Sequence, residues 1–342
     1  MTTWTRLMPD RPIVAVAGAT GAVGREMLLV LTERGFPAER VIALASSRSA
    51  GRRLPFGDDG LVVEEMTPGS FEGVDLALFS AGASVSREMA PQAVARGCVV
   101  IDNSSAFRME EAVPLVVPEV NPGDIGEHAG IIANPNCSTI QLVVALKPLA
   151  ALAPMRRVVV CTYQSASGAG QAAMDELIDH TAAALRGESP RPQAFAHGIA
   201  FNCIPHIDSF LDDGSTKEEW KMVVETRKIM HMPDIRIGVT CVRVPVSRCH
   251  SEAVHVEFAS PVSVEAARAA LETAPGVTVM DDPEAGVYPM PAMLSGTDDC
   301  HVGRIRADRS VEHGIAFWLV ADQLRKGAAL NAVQIAESLL PR

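Results

Sequence analysis

The sequence contains no run approaching the roughly 18 apolar residues that a membrane-crossing helix needs. Its opening stretch, MTTWTRLMPDRPIVAVAGATG, holds no apolar segment long enough for a signal peptide before the first expected strand near Ile13. Basic residues are in deficit, and the net charge of -11 argues against nucleic acid or a membrane surface as a general partner, since both select clustered lysine and arginine. Small anions remain possible ligands wherever a few positive charges are concentrated. There is no CxxC pair among the seven cysteines, whose odd number and irregular spacing fit a reducing compartment better than a disulfide framework. The expected location is therefore the cytoplasm. Cys203 with His206, Cys249 with His250 and Cys300 with His301 lack the paired spacing of a zinc site, so no metal is expected. Internal repeats and low-complexity linkers are absent too, and RGESPRPQ, residues 186–193, is the best candidate for an exposed loop.

What is present describes a globular chain, with 48% hydrophobic and 21% charged residues. Its 342 residues exceed what one ordinary core accommodates, so two domains are expected. PIVAVAGATGAVG followed by REMLLVLTERG reads as strand, glycine turn and helix, with Met27, Leu28, Val30 and Leu31 on one helical face. RVIALASS, VDLALFSA, GCVVIDNS and AGIIANP follow as apolar strands, with a helix between two of them, which predicts a parallel sheet covered on both faces. After Cys137 the pattern changes. A helix leads to the strand MRRVVVCTYQ and a glycine-rich corner, and later strands point to a mostly antiparallel sheet. The expected architecture is α/β: a Rossmann-type doubly wound domain over 1–136 completed by a helix in 323–342, and an α+β domain over 137–322.

The turn from Gly18 through Thr20, Gly21, Ala22 and Val23 to Gly24 follows a strand and opens a helix. Glycines there permit a tight turn and close approach of backbone N–H groups to a pyrophosphate, and the helix start attracts negative charge. The alternative is a tight turn of any α/β fold; strand, turn and helix together favour a dinucleotide. At the end of the second strand an NAD-selective fold usually presents an acid. Here Ser46, Ser47, Arg48 and Ser49 stand instead, which favours the 2'-phosphate of NADP over a merely solvated loop.

NPNCST sets Cys137 where a strand ends and a helix begins, with Asn136, Ser138 and Thr139 around it. The helix dipole lowers a thiol pKa at that place and favours the nucleophilic thiolate. Cys98, Cys161 and Cys241, inside apolar strands, read as buried hydrophobes. His250, expected in a polar loop between two strands, stands modestly ahead of the other histidines as proton-transfer partner, while His255 reads as structural. Arg108 is expected to end a strand beside Asn103 and Ser104 at the sheet edge where such folds bind ligands.

GATGAVG, SSRSAG, FSAG, VIDNSSAFR, VPEVN, NPNCST, TYQSASGAG, EEWK, VRVPVSRCHSE and RKGAALNAVQIAE occur in this order, from Ile13 to Ser338, and the chain resembles the aspartate-β-semialdehyde dehydrogenase family. The resemblance implies NADP-dependent, reversible conversion of L-aspartate 4-semialdehyde and phosphate into L-4-aspartyl phosphate, on the route to lysine, methionine, threonine and diaminopimelate. It implies a nucleophile at Cys137, an acid/base at His250 and an orienting amide at Gln164, with Asn136 close by. The substrate carboxylate is expected on Arg243, its amino group on Glu218 and phosphate on Arg108 and Lys221. Ser167, Gly168 and Gln323 are expected near the nicotinamide, and Gln323 departs from the asparagine common in similar sequences. The family analogy implies a homodimer through the second domain. N-acetyl-γ-glutamyl-phosphate reductase, a glyceraldehyde-phosphate-type dehydrogenase and a catalytically silent NADP-binding relative are the competing readings. Glu218, the motif series, and the presence of Cys137 and His250 count against them in turn.

Overall fold

The computed structural model describes residues 7–58 and 60–341; residues 1–6 and Arg342, assigned from the sequence to the first domain, lie outside the described residues. The chain divides into two compact units, Met1–Asn136 with Ala328–Arg342, and Cys137–Gly327. Among the described residues no helix is long and apolar enough to cross a membrane.

In the first unit, β1 (Ile13–Ala17), β2 (Arg40–Ala45), β3 (Arg53–Leu54), β4 (Leu61–Glu65), β5 (Leu76–Phe79), β6 (Val99–Asp102) and β7 (Ile131–Ala133) form one sheet. Its order is β3-β4-β2-β1-β5-β6-β7, parallel throughout except where β3 meets β4. The central strands are apolar on both sides because helices cover both faces. Val14 and Val16 share one core with Met27, Leu28 and Leu31 of α1 (Ala22–Glu33), and α2 (Ala83–Val94) links β5 to β6. The chain builds outward from β1 with β2 and β4, then returns to its other side with β5, β6 and β7. Strand order therefore reverses at β1, and its carboxyl end carries the glycine turn.

The second unit opens with α3 (Cys137–Ala150), whose residues from Ser138 to Leu146 are all buried. Its sheet comprises β8 (Met155–Gln164), β9 (Arg236–Arg243), β10 (His250–Phe258), β11 (Val277–Val279), β12 (Cys300–Asp308) and β13 (Gly314–Ala321), ordered β11-β12-β13-β10-β8-β9. The sheet is mixed: β11 runs parallel to β12 and β8 to β9, and the pairings between them are antiparallel. Around it lie α4 (Gln171–Leu185), α5 (Lys217–Ile229), α6 (Val264–Glu272) and the short α7 (Pro291–Leu294). The period-2 alternation of strands separates two faces. On β8, Val158, Val160, Thr162 and Gln164 are buried, whereas Arg157, Cys161 and Tyr163 are half-buried or exposed. Cys161 is thus not the buried hydrophobe expected from its apolar neighbours; it points to the more open face.

The helix expected over 323–342 is shorter than its sequence pattern. A π-turn at Arg325–Ala329 precedes α8 (Leu330–Ser338), and Gln323–Gly327 belong to the second unit. Leu330, Val333 and Ile335 of α8 enter the first unit's core, where the Asn331 side-chain amide donates to Asn134 Oδ1 at 2.6 Å.

Candidate active site

The first unit supplies a nucleotide-type cradle. Gly18 has φ +85°, and a Cβ there would stand 2.3 Å from the Ser80 carbonyl oxygen; one on Gly24 would stand 2.2 Å from the Gly18 carbonyl oxygen. Only glycine permits this closeness of turn to helix. α1 has no side-chain cap at Gly21 and no acid in its first turn, so the electropositive end is left to a ligand. These features fit a dinucleotide pyrophosphate. Thr20, Ala22 and Val23 lie within this turn and helix start, and Ser46, Arg48 and Ser49 lie at the 3-10 turn that follows β2, with Arg48 exposed. Arg108 lies in the loop beyond β6, several residues past the strand end expected for it. Its guanidinium donates to the Asn134 carbonyl at 2.9 Å and the Asn103 carbonyl at 3.0 Å, which orients the group. Asn136 is buried.

The second unit assembles the remaining candidates at one end of its buried sheet face. Gln164 ends β8 directly opposite Arg243, which ends β9, so their side chains share a face. His250 begins β10 and is 0% exposed, buried in the sheet and not set in a polar loop as expected. The buried stretch His250, Ser251 and Glu252 carries no apolar alternation by which a strand would be recognised. His250 Nδ1 accepts from the Ser165 backbone N–H at 3.1 Å and lies 3.0 Å from Ser165 Oγ. In the neutral ring this leaves the proton on Nε2, which has no hydrogen-bond partner among the described residues. Burial, then the charge of Arg243, holds the His250 pKa well below the usual histidine range.

Cys137 is half-buried as the first residue of α3, where the helix dipole favours thiolate. Arg243 is 6% exposed, donates from Nη1 to the Ser165 carbonyl at 2.5 Å, and is drawn electrostatically to Glu218 and Cys137. Ser167 and Gly168 lie on the 3-10 turn Ala166–Ala169. A Cβ on Gly168 would meet Arg243 Nη1 at 3.0 Å and His250 Nε2 at 3.1 Å. Gln323 donates to Ser167 Oγ and accepts from the Cys249 N–H at 2.9 Å, so its amide braces this turn against β10.

The two adjacent glutamates separate cleanly. Glu219 serves a capping box, accepting the Thr216 N–H at 2.7 Å, and also accepts from the Cys241 N–H at 3.0 Å. Glu218, 5% exposed, accepts from Gln164 Nε2 at 3.4 Å and Lys221 at 3.2 Å. Lys221 is also bound to Asp208 at 2.6 Å. Burial works to lower the Lys221 pKa, but Glu218 and Asp208 outweigh it and raise it. Its charge is thus met by two carboxylates.

The family model described as semialdehyde dehydrogenase, NAD binding domain, matches residues 13–128, and the semialdehyde dehydrogenase dimerisation domain matches residues 146–326. The aspartate-semialdehyde dehydrogenase of Aquifex aeolicus is 55% identical over 331 residues, 96% of this chain and 97% of that protein; the Bacillus subtilis enzyme is 53% identical over 334 residues, 95% and 96%. The chain belongs to the aspartate-semialdehyde dehydrogenase family. Among solved members of this family, aspartate semialdehyde dehydrogenase II from Vibrio cholerae, complexed with ASA, superposes with TM-score 0.94 at 49% identity, covering 96% of this chain and 98% of that one. The Candida albicans enzyme with NADP gives TM-score 0.76 at 28% identity, covering 96% and 98%.

Family membership carries with it a pyridine-nucleotide fold in the first unit. Two partners at this aspartate-semialdehyde dehydrogenase site escape a reading of the sequence. Ser165 sits between Gln164 and Ala166 with nothing in its type to single it out, yet it fixes the His250 ring. Phe195, whose ring centroid lies 5.9 Å from Arg243 Cζ, comes from the irregular segment next to the expected loop.

Proposed function

We propose that this protein is an NADP-dependent aspartate-semialdehyde dehydrogenase that reduces L-4-aspartyl phosphate to L-aspartate 4-semialdehyde and phosphate, and runs in reverse. The observation that carries the reading is the buried pair Arg243 and Glu218, set with Gln164 at the sheet end that also holds His250. A buried cation beside a buried carboxylate suits an amino acid's carboxylate and ammonium. Glu218 would have no ammonium to meet in an N-acetylated substrate, which disfavours the acetylglutamyl reductase reading.

In the reductive direction Cys137 thiolate, favoured by the α3 start and Arg243, attacks the acyl carbon. The C–O bond to phosphate breaks, phosphate, the anion that the family resemblance assigns to Arg108, leaves, and a thioester remains on Cys137. Reduction of the thioester carbon needs a hydride, which NADPH would supply when bound. The resulting alkoxide re-forms its carbonyl, the C–S bond breaks, and thiolate and aldehyde separate. Neutral His250 donates its Nε2 proton as a hydrogen bond to the developing oxyanion, with Nδ1 fixed by Ser165. Gln164 orients the acyl group, Asn136 adds a donor near the thiol, and Ser167, Gly168 and Gln323 shape the surface for the nicotinamide.

NADP is preferred over NAD because Arg48 with Ser46 and Ser49 takes the place of an acid after β2. The open face of the second sheet supports a homodimer: the rings of Tyr163 and Trp318 meet at a tilt, centroids 5.2 Å apart, beside a groove of about 290 Å³ lined by Tyr288, Met290 and Phe317. Among the described residues no disulfide joins any of the seven cysteines, which fits the cytoplasm. The reaction serves lysine, methionine, threonine and diaminopimelate synthesis.

The test is phosphate-dependent NADP reduction with L-aspartate 4-semialdehyde, beside N-acetyl-L-glutamate 5-semialdehyde and with NAD as alternative. Turnover with the aspartate compound alone supports the reading. Turnover only with the acetylated compound transfers the protein to the competing reductase, and folded, NADP-binding protein without turnover makes it a silent relative.

A further inference from the structure

We propose that Phe195 is a positioning residue for Arg243, held in place by a carboxylate clip, Glu176, and that together they set the site's selectivity for a substrate carrying an α-carboxylate. This rests on the reading of Arg243 as the carboxylate holder.

Residues 187–198 form no regular helix or strand. Such a segment is ordinarily mobile on a surface. Here it is pinned immediately before Phe195: Glu176 Oε2 accepts from the Gln193 N–H at 2.7 Å and from the Ala194 N–H at 2.6 Å. Glu176 lies on α4 and is only 8% exposed, so these two charge-assisted bonds are sheltered from water. The next residue on α4, Leu177, lies in a small apolar cluster with Ala166, Ile199 and Ile204, and Phe195 packs against that cluster. Clip and cluster fix the ring from two directions.

The ring faces the guanidinium of Arg243 at 5.9 Å from its centroid to Cζ. A cation over an aromatic face is attracted by the ring quadrupole, and the guanidinium keeps its in-plane N–H groups for a carboxylate. Nη1 is committed to the Ser165 carbonyl, so the guanidinium is held by a hydrogen bond in its plane and a ring beside it. The two restraints reduce the conformers Arg243 must surrender when a carboxylate binds.

The experiment measures steady-state kinetics on the full chain for Phe195→Ala, Phe195→Tyr, Glu176→Ala and Glu176→Gln. Phe195→Ala should raise the KM for L-aspartate 4-semialdehyde roughly 3- to 30-fold, with kcat and the KM values of phosphate and NADP nearly unchanged. Phe195→Tyr should restore it, since the face of the ring remains. Glu176→Ala should follow Phe195→Ala, and Glu176→Gln, which keeps an acceptor oxygen, should lie between. A second substrate, 3-aminopropanal, which lacks the α-carboxylate, should show no penalty in Phe195→Ala. An equal penalty on both aldehydes, a parallel rise in every KM, or failure of Phe195→Tyr to rescue would make Phe195 merely structural and overturn the proposal. Thermal melts and NADP titration identify misfolded variants, for which Phe195→Leu provides a milder substitution read by the same criteria. Absence of aspartate-semialdehyde turnover in the wild type would instead strike the proposed function, and this proposal with it.

Discussion

Replacing Glu252 by glutamine should stabilise the protein increasingly as pH rises above about 5 and change little below about 4. Glu252 lies on β10 two residues beyond His250, on the same sheet face, and is 0% exposed. Burial raises its carboxyl pKa well above the usual range, and a polar contact with Gln141 of α3 offsets this only in part. That contact is poorly aligned, leaving both carboxyl oxygens without a well-formed hydrogen bond. Nearby Cys241 shows the same effect, its thiol pKa raised by burial and then by Glu218, Glu219 and Glu252. A carboxyl with a raised folded pKa keeps a proton that the unfolded chain releases near pH 4.3. Stability is therefore full below that pH and falls as pH rises, by about 1.4 kcal/mol per unit while the folded group stays protonated. Glutamine has nearly the same shape and no proton to keep, so the slope should vanish. At roughly 2–4 °C per kcal/mol for a unit of this size, the melting-temperature gap should widen by about 3–6 °C per pH unit. Circular-dichroism melts of both proteins across pH 4–7 read this directly. A gap that stays constant with pH would refute the buried, protonated carboxyl.

Cys137→Ala should reduce turnover by at least ~10³-fold while NADP binding, read by titration, stays nearly intact; loss of both would mark the cysteine as structural. Arg48→Ala should raise the KM for NADP about 10- to 100-fold and leave that for NAD almost unmoved, as measured with the two cofactors side by side. Gly168→Ala should lower kcat by roughly 10–100-fold without a comparable loss in melting temperature, because the added carbon reaches His250 and Arg243 at 3.0–3.1 Å and must displace one of them.

Legibility in the sequence followed burial chemistry. The parallel sheet of the first unit was readable because its strands are apolar runs and its one functional turn uses glycine, as in Val14–Ala17 and Gly18. The strand-to-helix corner at Cys137 was readable because apolar runs bracket a polar hexapeptide. His250 was misplaced because β10 buries polar residues at its start, and a hydrophobic pattern cannot report a buried histidine, serine and glutamate in succession. α5 was not read as a helix, because its mainly polar sequence carries no clear apolar stripe; its start is marked by the Thr216–Glu219 capping box. β3 and β11 are too short to carry a period, β4 buries only Val63, and β11 takes its place by pairing with β12. Partners joined through backbone, such as Ser165 to His250 and Glu176 to Gln193, depend on distant chain segments meeting, which spacing does not encode.

The discontinuity of the first unit bears on how the chain is made. Its core needs Leu330, Val333 and Ile335, which are translated roughly 190 residues after Asn136, an interval of about 10–40 s at ordinary synthesis rates. During that interval, in which the second unit is itself being translated, the apolar surface destined for α8 is uncovered on the nascent chain. The nucleotide fold is thus begun first and completed last.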